Sequence, residues 1–289
     1  MKLWPAVLQS LGHKPDASLT RSSVGGGCID AAWEIQVNSS KYFVKTSSSR
    51  NALTMFEAEA DGLNELRNTT QIRTPDVLSI GEHAGSYWIA LEFIDLKAPS
   101  NETQAELGKA LALMHDKEQP YFGWHRENRI GGTLQCNQHT DNWLNFYLEY
   151  RLKPQIKQLH YHQSSLGINV LGARLEEKLP EFFKGYIPKP SLLHGDLWFG
   201  NFSADELGQA VIFDPACYYG DRETDIAMTE LFSGFTDVFY QAYESVLPLD
   251  PGYKQRKELY QLYHILNHAN LFGGQYGIQS HNLLTKLVA

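Results

Sequence analysis

Near residue 95 the chain stops reading as strands and starts reading as helices, and that change limits the folds open to it. Before it, residues 32–37, 42–45, 77–81 and 87–93 are rich in β-branched and aromatic side chains and predict strands, with Asn38-Ser39-Ser40 as a turn between the first two. One helix interrupts them. Within residues 51–68, Leu53, Phe56, Ala60, Leu63 and Leu66 recur at three- and four-residue intervals. Pro75 then returns the chain to extended structure. After "EFIDLKAPS" helical stripes dominate. Ser100 is placed to cap a helix over 102–116, Thr140 or Asp141 to cap one over 142–159, and further stripes run through 171–184, 222–231, 235–246 and 252–270. Only residues 191–201 and the segment "AVIFDP" break that pattern, as short strands and loops. The expected fold is α+β, with a small β-rich N-lobe over 1–95 and a larger, mostly helical C-lobe over 96–289.

A chain of 289 residues that is 43% hydrophobic and 20% charged has the composition of a soluble globular protein with a sizeable core. Its net charge of -8 argues against a nucleic-acid or anionic-membrane partner. It does not exclude an anionic nucleotide, because backbone amides and a metal act locally. No apolar run approaches the roughly 18 residues of a membrane span, and "MKLWPAVLQSLGHK" lacks the features of a signal peptide. Cys28, Cys136 and Cys217 are odd in number and widely spaced, which fits neither a disulfide framework nor a zinc site. A reducing cytoplasm is the expected location.

Four features then follow in chain order. Gly25, Gly26 and Gly27 lie between expected strands, where glycines can turn backbone N–H groups toward a phosphate or simply make a turn. Lys45 ends the second strand, and the following helix carries Glu57 and Glu59. Those two carboxylates point well apart, so one of them faces the lysine, and Glu59 is preferred. A strand lysine held by a helix carboxylate is how protein kinases bring a cation to nucleotide phosphates.

The third feature is "SLLHGDLWFGN". Asp196 and Asn201 have the spacing of the proton-accepting Asp and metal-holding Asn of a kinase catalytic loop, and His194 stands where its histidine would. In "VIFDPA", Asp214 ends an apolar strand and would hold a second magnesium ion. Phosphoryl transfer needs charge neutralisation and alignment, and Mg²⁺ prefers hard oxygen ligands. ATP and Mg²⁺ are therefore expected.

With "GGGCID", "MFEAEADGL", "LLHGDLWFGN", "DPACYYGDRETDIAMTELF" and "LYHILNHANLFGG", the chain resembles the fructosamine/ketosamine kinase family over nearly its whole length. That family is similar to the aminoglycoside and choline kinases, which share the bilobal protein-kinase-like fold. The resemblance implies phosphorylation of the 3-hydroxyl of ketosamines, on small amines or on glycated protein amines. The phosphorylated adduct then decomposes and frees the amine, a deglycation. It also implies Asp196 as base, Asn201 and Asp214 as metal ligands, and Lys45 on the phosphates. The backbone of Glu92, Phe93 and Ile94 would meet adenine, and Trp198 would stack on the sugar or its amine arm. Other small-molecule hydroxyl kinases, or a nucleotide-binding module without turnover, are the alternatives.

The sequence departs from the family where "FVKTSSS" lacks the Asn that often follows the lysine and where Ser233 replaces a usual glycine. Cys28 follows the glycine triplet, where phosphate-cradling amides would favour a thiolate. Reversible oxidation there, including a disulfide to a second chain, is one expectation and a small, inert residue packed beneath the strand is the other, so the chain is read as a monomer or a redox-linked homodimer. Cys217 is the second candidate thiol. Asp221, Arg222, Glu223 and Asp225 read as an Arg–carboxylate network in which Asp225 could brace the catalytic loop. Trp143, Phe146, Tyr147 and Tyr150 read as core, and "FGWHRENRIGGTLQCN" suggests no role.

Overall fold

The computed structural model describes residues 3–25, 31–163 and 167–289. Its N-terminal part is built on α1 (Leu3–Ser10), β1 (Leu19–Val24), β2 (Ala31–Val37), β3 (Ser40–Ser47), α2 (Ala52–Thr69), β4 (Val77–His83) and β5 (Ser86–Glu92). The strands form one antiparallel sheet in the order β1-β2-β3-β5-β4. Side chains alternate across it as strand geometry requires. Val44, Trp88 and Ala90 pack with Val7 of α1 on one face, while Ile89 and Leu91 pack with Phe56, Ala60 and Leu63 of α2 on the other. α1 is not legible in the sequence, and β1 is implied there only as a strand before Gly25, without a strand pattern of its own. β1 reads Leu-Thr-Arg-Ser-Ser-Val and is exposed along nearly its whole length, so it is held by backbone pairing to β2 rather than by an apolar face.

The remainder is mostly helical. It contains α3 (Asn101–His115), a hairpin of β6 (Asn128–Ile130) and β7 (Thr133–Gln135), α4 (Trp143–Tyr147), α5 (Lys153–His162) and α6 (Ile168–Lys178). Then come β8 (Pro190–Leu193), β9 (Phe202–Ala204), β10 (Ala210–Ile212), β11 (Tyr218–Asp221), α7 (Glu223–Thr229), α8 (Asp237–Glu244), α9 (Tyr253–Phe272) and α10 (Gln275–Val288). α3 begins as expected at Ser100, whose hydroxyl and the Thr103 side chain cap each other's backbone N–H. The next cap is neither Thr140 nor Asp141: the Asn142 side chain accepts from the Asn145 N–H at 3.0 Å, and Thr140 instead accepts from the Asn142 N–H.

The helix expected over 142–159 is not continuous. Residues 148–152 widen into a π-helical turn between α4 and α5. Pro154 has no N–H for the carbonyl four residues back, and its ring crowds that carbonyl. The freed Tyr150 carbonyl accepts from the Arg151 guanidinium at 2.9 Å. Arg151 is fully buried and pairs with no carboxylate among the described residues. Its charge is met by the Cys136 carbonyl, by the Asn137 side chain, and by the faces of Tyr218 and Phe146 at 4.1 and 4.6 Å. One continuous core spans this part, running through Leu107, Phe146, Leu193, Phe239 and Leu266. Two short antiparallel pairs, β8 with β11 and β9 with β10, set two loops side by side, 194–201 and 213–217.

Candidate active site

Those two loops, β3, α2 and the end of β5 enclose a cleft of about 730 Å³. It is lined by Gly25, Lys45, Glu59, Glu92, Phe93, Ile94, Asp196, Trp198, Asn201 and Asp214, so every expected site residue that is described faces one space. Gly26, Gly27 and Cys28 lie outside the described residues.

Strand alternation explains the lysine. Val44 points to α1, so Phe43 and Lys45 point to the α2 side. There the Lys45 ammonium donates to Glu59 Oε1 at 2.7 Å and to the Asp214 carboxylate. Burial works against its charge, but the Asp214 and Glu59 carboxylates outweigh it and raise the pKa. Glu57, two residues away and on another helix face, pairs with Arg126 at 3.0 Å. The choice between the two glutamates thus follows from helix geometry.

Asp196 sits in a loop with every polar direction assigned. The His194 N–H and Gly195 N–H donate to the two oxygens of buried Asp225, at 2.7 and 2.9 Å. His194 Nε2 donates to the Phe213 carbonyl at 3.0 Å, which leaves Nδ1 to accept from the Asp196 N–H. That is a neutral ring, consistent with burial lowering its pKa. His194 therefore joins the two loops and is itself fully buried. Asp225 also accepts from His115 Nε2 at 3.4 Å. His115 Nδ1 in turn accepts from the Tyr243 hydroxyl, to which Arg222 donates. The expected Arg–carboxylate network needs one correction. Arg222 binds Tyr243 and two backbone carbonyls, whereas the partner of Glu223 is Arg256, at 2.7 Å from α9.

Burial, then the nearby Asp214 and Asp225 charges, push the Asp196 carboxyl up to about 7. A carboxyl near neutrality inside a cleft is suited to accept a proton. Beside it, Asn201 Nδ2 donates to the Asp196 carbonyl at 2.9 Å, which fixes the amide so that its oxygen stays an acceptor. Asp214 has a left-handed backbone, with φ of 55°. It is pinned on both sides, by the Phe213 N–H to the Asn201 carbonyl and by the Ala216 N–H to the His194 carbonyl. Strain of this kind is commonly stored where a functional group must be aimed. Asn201 and Asp214 together offer hard oxygen donors. Among the described residues no group of three or more His, Cys, Asp or Glu could hold a metal. The donor set fits Mg²⁺, which takes few protein ligands and completes its shell with phosphate and water. Trp198 is 40% exposed and lies edge-on to Phe232 at 6.3 Å.

The β6–β7 hairpin is a part of the site that the sequence reading left without a role. Asn128 Nδ2 donates to the Cys217 carbonyl at 2.6 Å, and Gln135 and Asn137 both donate to Asn128 Oδ1 at 3.0 Å. The hairpin thus buttresses the backbone just beyond Asp214, and Asn128, Arg129 and Gly131 reach the cleft. A signal for it existed: Gly131-Gly132 between "NRI" and "TLQ" is a two-residue hairpin turn.

Comparison with known proteins agrees with this geometry. The fructosamine kinase family model matches residues 3–289. A chain assigned as a ketoamine kinase in Synechocystis sp. is 40% identical over 97% of this chain and 95% of its own length. The chloroplastic protein-ribulosamine 3-kinase of Arabidopsis thaliana is 43% identical over 88% of this chain and 78% of its own. Among solved structures, one assigned as a fructosamine-3-kinase from Haemophilus somnus 129PT superposes with a TM-score of 0.88, at 28% identity, over 98% of this chain and 97% of that one. An aminoglycoside phosphotransferase in ternary complex with ADP and hygromycin B shares the fold at a TM-score of 0.63 and 16% identity, over 100% and 98% of the two chains. No helix among the described residues is long and apolar enough to cross a membrane.

Proposed function

The chain belongs to the fructosamine kinase family and is a phosphotransferase of the ketosamine kinase type, and we propose that it moves the γ-phosphoryl group of ATP to the 3-hydroxyl of ketosamines. The observation that carries this reading is the single cleft in which Lys45 with Glu59, Asp196, Asn201 and Asp214 meet. Lys45, oriented by Glu59, would bind the phosphates, with Gly25 lining the same cleft. The linker Glu92-Phe93-Ile94 would hold adenine through its backbone, since the Glu92 carboxylate is already engaged by Arg73 at 2.6 Å.

Asn201 and Asp214 would hold Mg²⁺, which when bound neutralises charge on the transferring phosphoryl group. Asp196 would accept the proton of the sugar 3-hydroxyl as its oxygen attacks phosphorus, and Trp198 would pack on the sugar. The buried His194–Asp225 brace keeps Asp196 in register without an energetic cost at the moment of reaction. The 3-phosphorylated ketosamine would then decompose and release the free amine, so that the reaction serves deglycation.

A phosphorylation panel tests the acceptor class: ribulose-lysine, fructose-lysine, kanamycin and choline, with Mg-ATP. Phosphorylation of a ketosamine alone supports the reading, and phosphorylation of kanamycin or choline alone overturns it. In Asp196→Asn, turnover should fall by about 10²–10⁴-fold, the usual contribution of a general base, while nucleotide still binds. Wild-type turnover in that variant would remove Asp196 from the chemistry.

A further inference from the structure

The charged lining of the cleft is almost fully compensated from within the protein. Glu34 pairs with Lys41, Glu92 with Arg73, and both Glu59 and Asp214 with Lys45. Two groups are left over. Asp196 has no cation within 4 Å among the described residues, and Arg129 has no carboxylate. The guanidinium donates to the Gly132 carbonyl of its own hairpin turn at 2.6 Å. Strand alternation leaves it half-buried: Asn128 and Ile130 turn inward and are buried, and Arg129 between them is partly exposed and lines the cleft. The hairpin beneath it is held by side-chain hydrogen bonds. Beyond the Asn128 contacts, Tyr263 donates to Gln135 Oε1 at 2.8 Å, and Arg151 donates to Asn137 Oδ1 at 2.6 Å.

A half-buried guanidinium with no counter-ion among the described residues is a site for an oxyanion, and its planar fork matches a carboxylate. We propose that Arg129 binds a carboxylate carried by the acceptor, so that the preferred ketosamines are those of amino acids or other amine-bearing acids rather than of neutral amines. This rests on the ketosamine reading above and narrows it. The nucleotide is the less fitting source of the oxyanion. Its phosphates already have Lys45 and the proposed metal ligands Asn201 and Asp214, whereas Arg129 pairs with no carboxylate among the described residues and sits on a hairpin anchored beyond Asp214, at Cys217, and at α9 through Asn267.

The test compares a matched pair of acceptors, the ketosamines of glycine and of glycinamide, each made with ribulose and with fructose, at saturating Mg-ATP. The full chain should favour the glycine adduct in kcat/KM by about tenfold, a modest value for a half-exposed charge pair. Arg129→Gln should bring the preference to near unity, and Arg129→Lys should keep part of it. A melting curve for each variant checks folding, and the wild-type preference is informative even without them. Equal kcat/KM for the two adducts in the wild type would overturn this inference and leave the ketosamine reading standing. So would a preference that survives in Arg129→Gln while kcat falls equally on both adducts, which would assign the guanidinium to the transferring phosphoryl group. Failure of the wild type to phosphorylate any of the four adducts would overturn both readings together.

Discussion

Asp225 is the residue on which the position of Asp196 depends most directly, and replacing it by Asn isolates that dependence. The substitution keeps the shape and removes one acceptor. In the protein both carboxylate oxygens accept buried backbone N–H groups, from His194 and Gly195. An Asn oxygen can serve one of them, and the amide nitrogen then faces the other, donor against donor. A buried donor left unpaired costs about 1–3 kcal/mol. Loss of charge assistance in the surviving bond, and in the 3.4 Å contact from His115, adds about 1 kcal/mol. The sum, about 2–4 kcal/mol, should lower Tm by about 4–8 °C, at about 2 °C per kcal/mol for a chain of this length.

The loop that relaxes carries Asp196, the proposed base, so kcat should fall by about 10–100-fold, the effect expected when a catalytic group moves by a fraction of an ångström. KM for ATP should change little, because Lys45 is held from α2. The pH dependence has a definite sign. Burial opposes the Asp225 charge, but the His115 contact and the backbone donors outweigh it and hold the carboxyl below the usual range. A depressed carboxyl stabilises the fold above the unfolded-chain pKa of about 3.9, and that stability is lost as pH falls through the folded value. The stability gap between wild type and Asp225→Asn should therefore narrow below about pH 4. Denaturant unfolding and steady-state kinetics check both parts. Stability within about 0.5 kcal/mol of wild type would refute the reasoning, since ordinary surface substitutions fall in that band.

Gly195→Ala should destabilise by about 2–5 kcal/mol, because φ is 82° there and a Cβ would overlap the Ala216 carbonyl oxygen; an unchanged melting curve would contradict the loop geometry. Glu59→Gln should lower kcat/KM for ATP by at least about tenfold, while Glu57→Gln, whose partly exposed pair with Arg126 lies away from Lys45, should stay within about twofold. The reverse order would mean that the lysine is held otherwise than by its 2.7 Å bond to Glu59. Cys217 should resist thiol reagents in the native chain, because it is 1% exposed and burial raises its thiol well above the usual range; rapid labelling in a Cys28→Ser, Cys136→Ser background would contradict this.

What the sequence made legible was local. Lys45 and Glu59 follow from a strand period and a helix period three to four residues long, and Asp196 to Asn201 is a spacing within one loop. What it hid was mostly non-local. Arg222 stands among acidic neighbours in sequence, yet adjacent residues at a helix start point apart, so its charge goes to Tyr243 and to carbonyls near residue 247. Arg256, thirty-three residues from Glu223, arrives on α9 and takes the carboxylate instead. The cap of α4 shows the limit at short range. Thr140, Asp141 and Asn142 are all able to cap, and the choice is made by where the preceding segment enters, its Phe122 and Thr140 backbones paired. The hairpin over 128–135 combines both cases. Its turn is written in Gly131-Gly132, but its purpose appears only when Asn128 meets Cys217, eighty-nine residues on. In the protein-kinase-like frame the stretch after the metal-holding Asp must be supported by something. Here the support is a buried amide cluster supplied by a segment that precedes the 194–201 loop in sequence, and the same segment places Arg129 at the cleft. The general chemistry is therefore written in short motifs, while the features that would select among acceptors depend on contacts only the folded chain brings together.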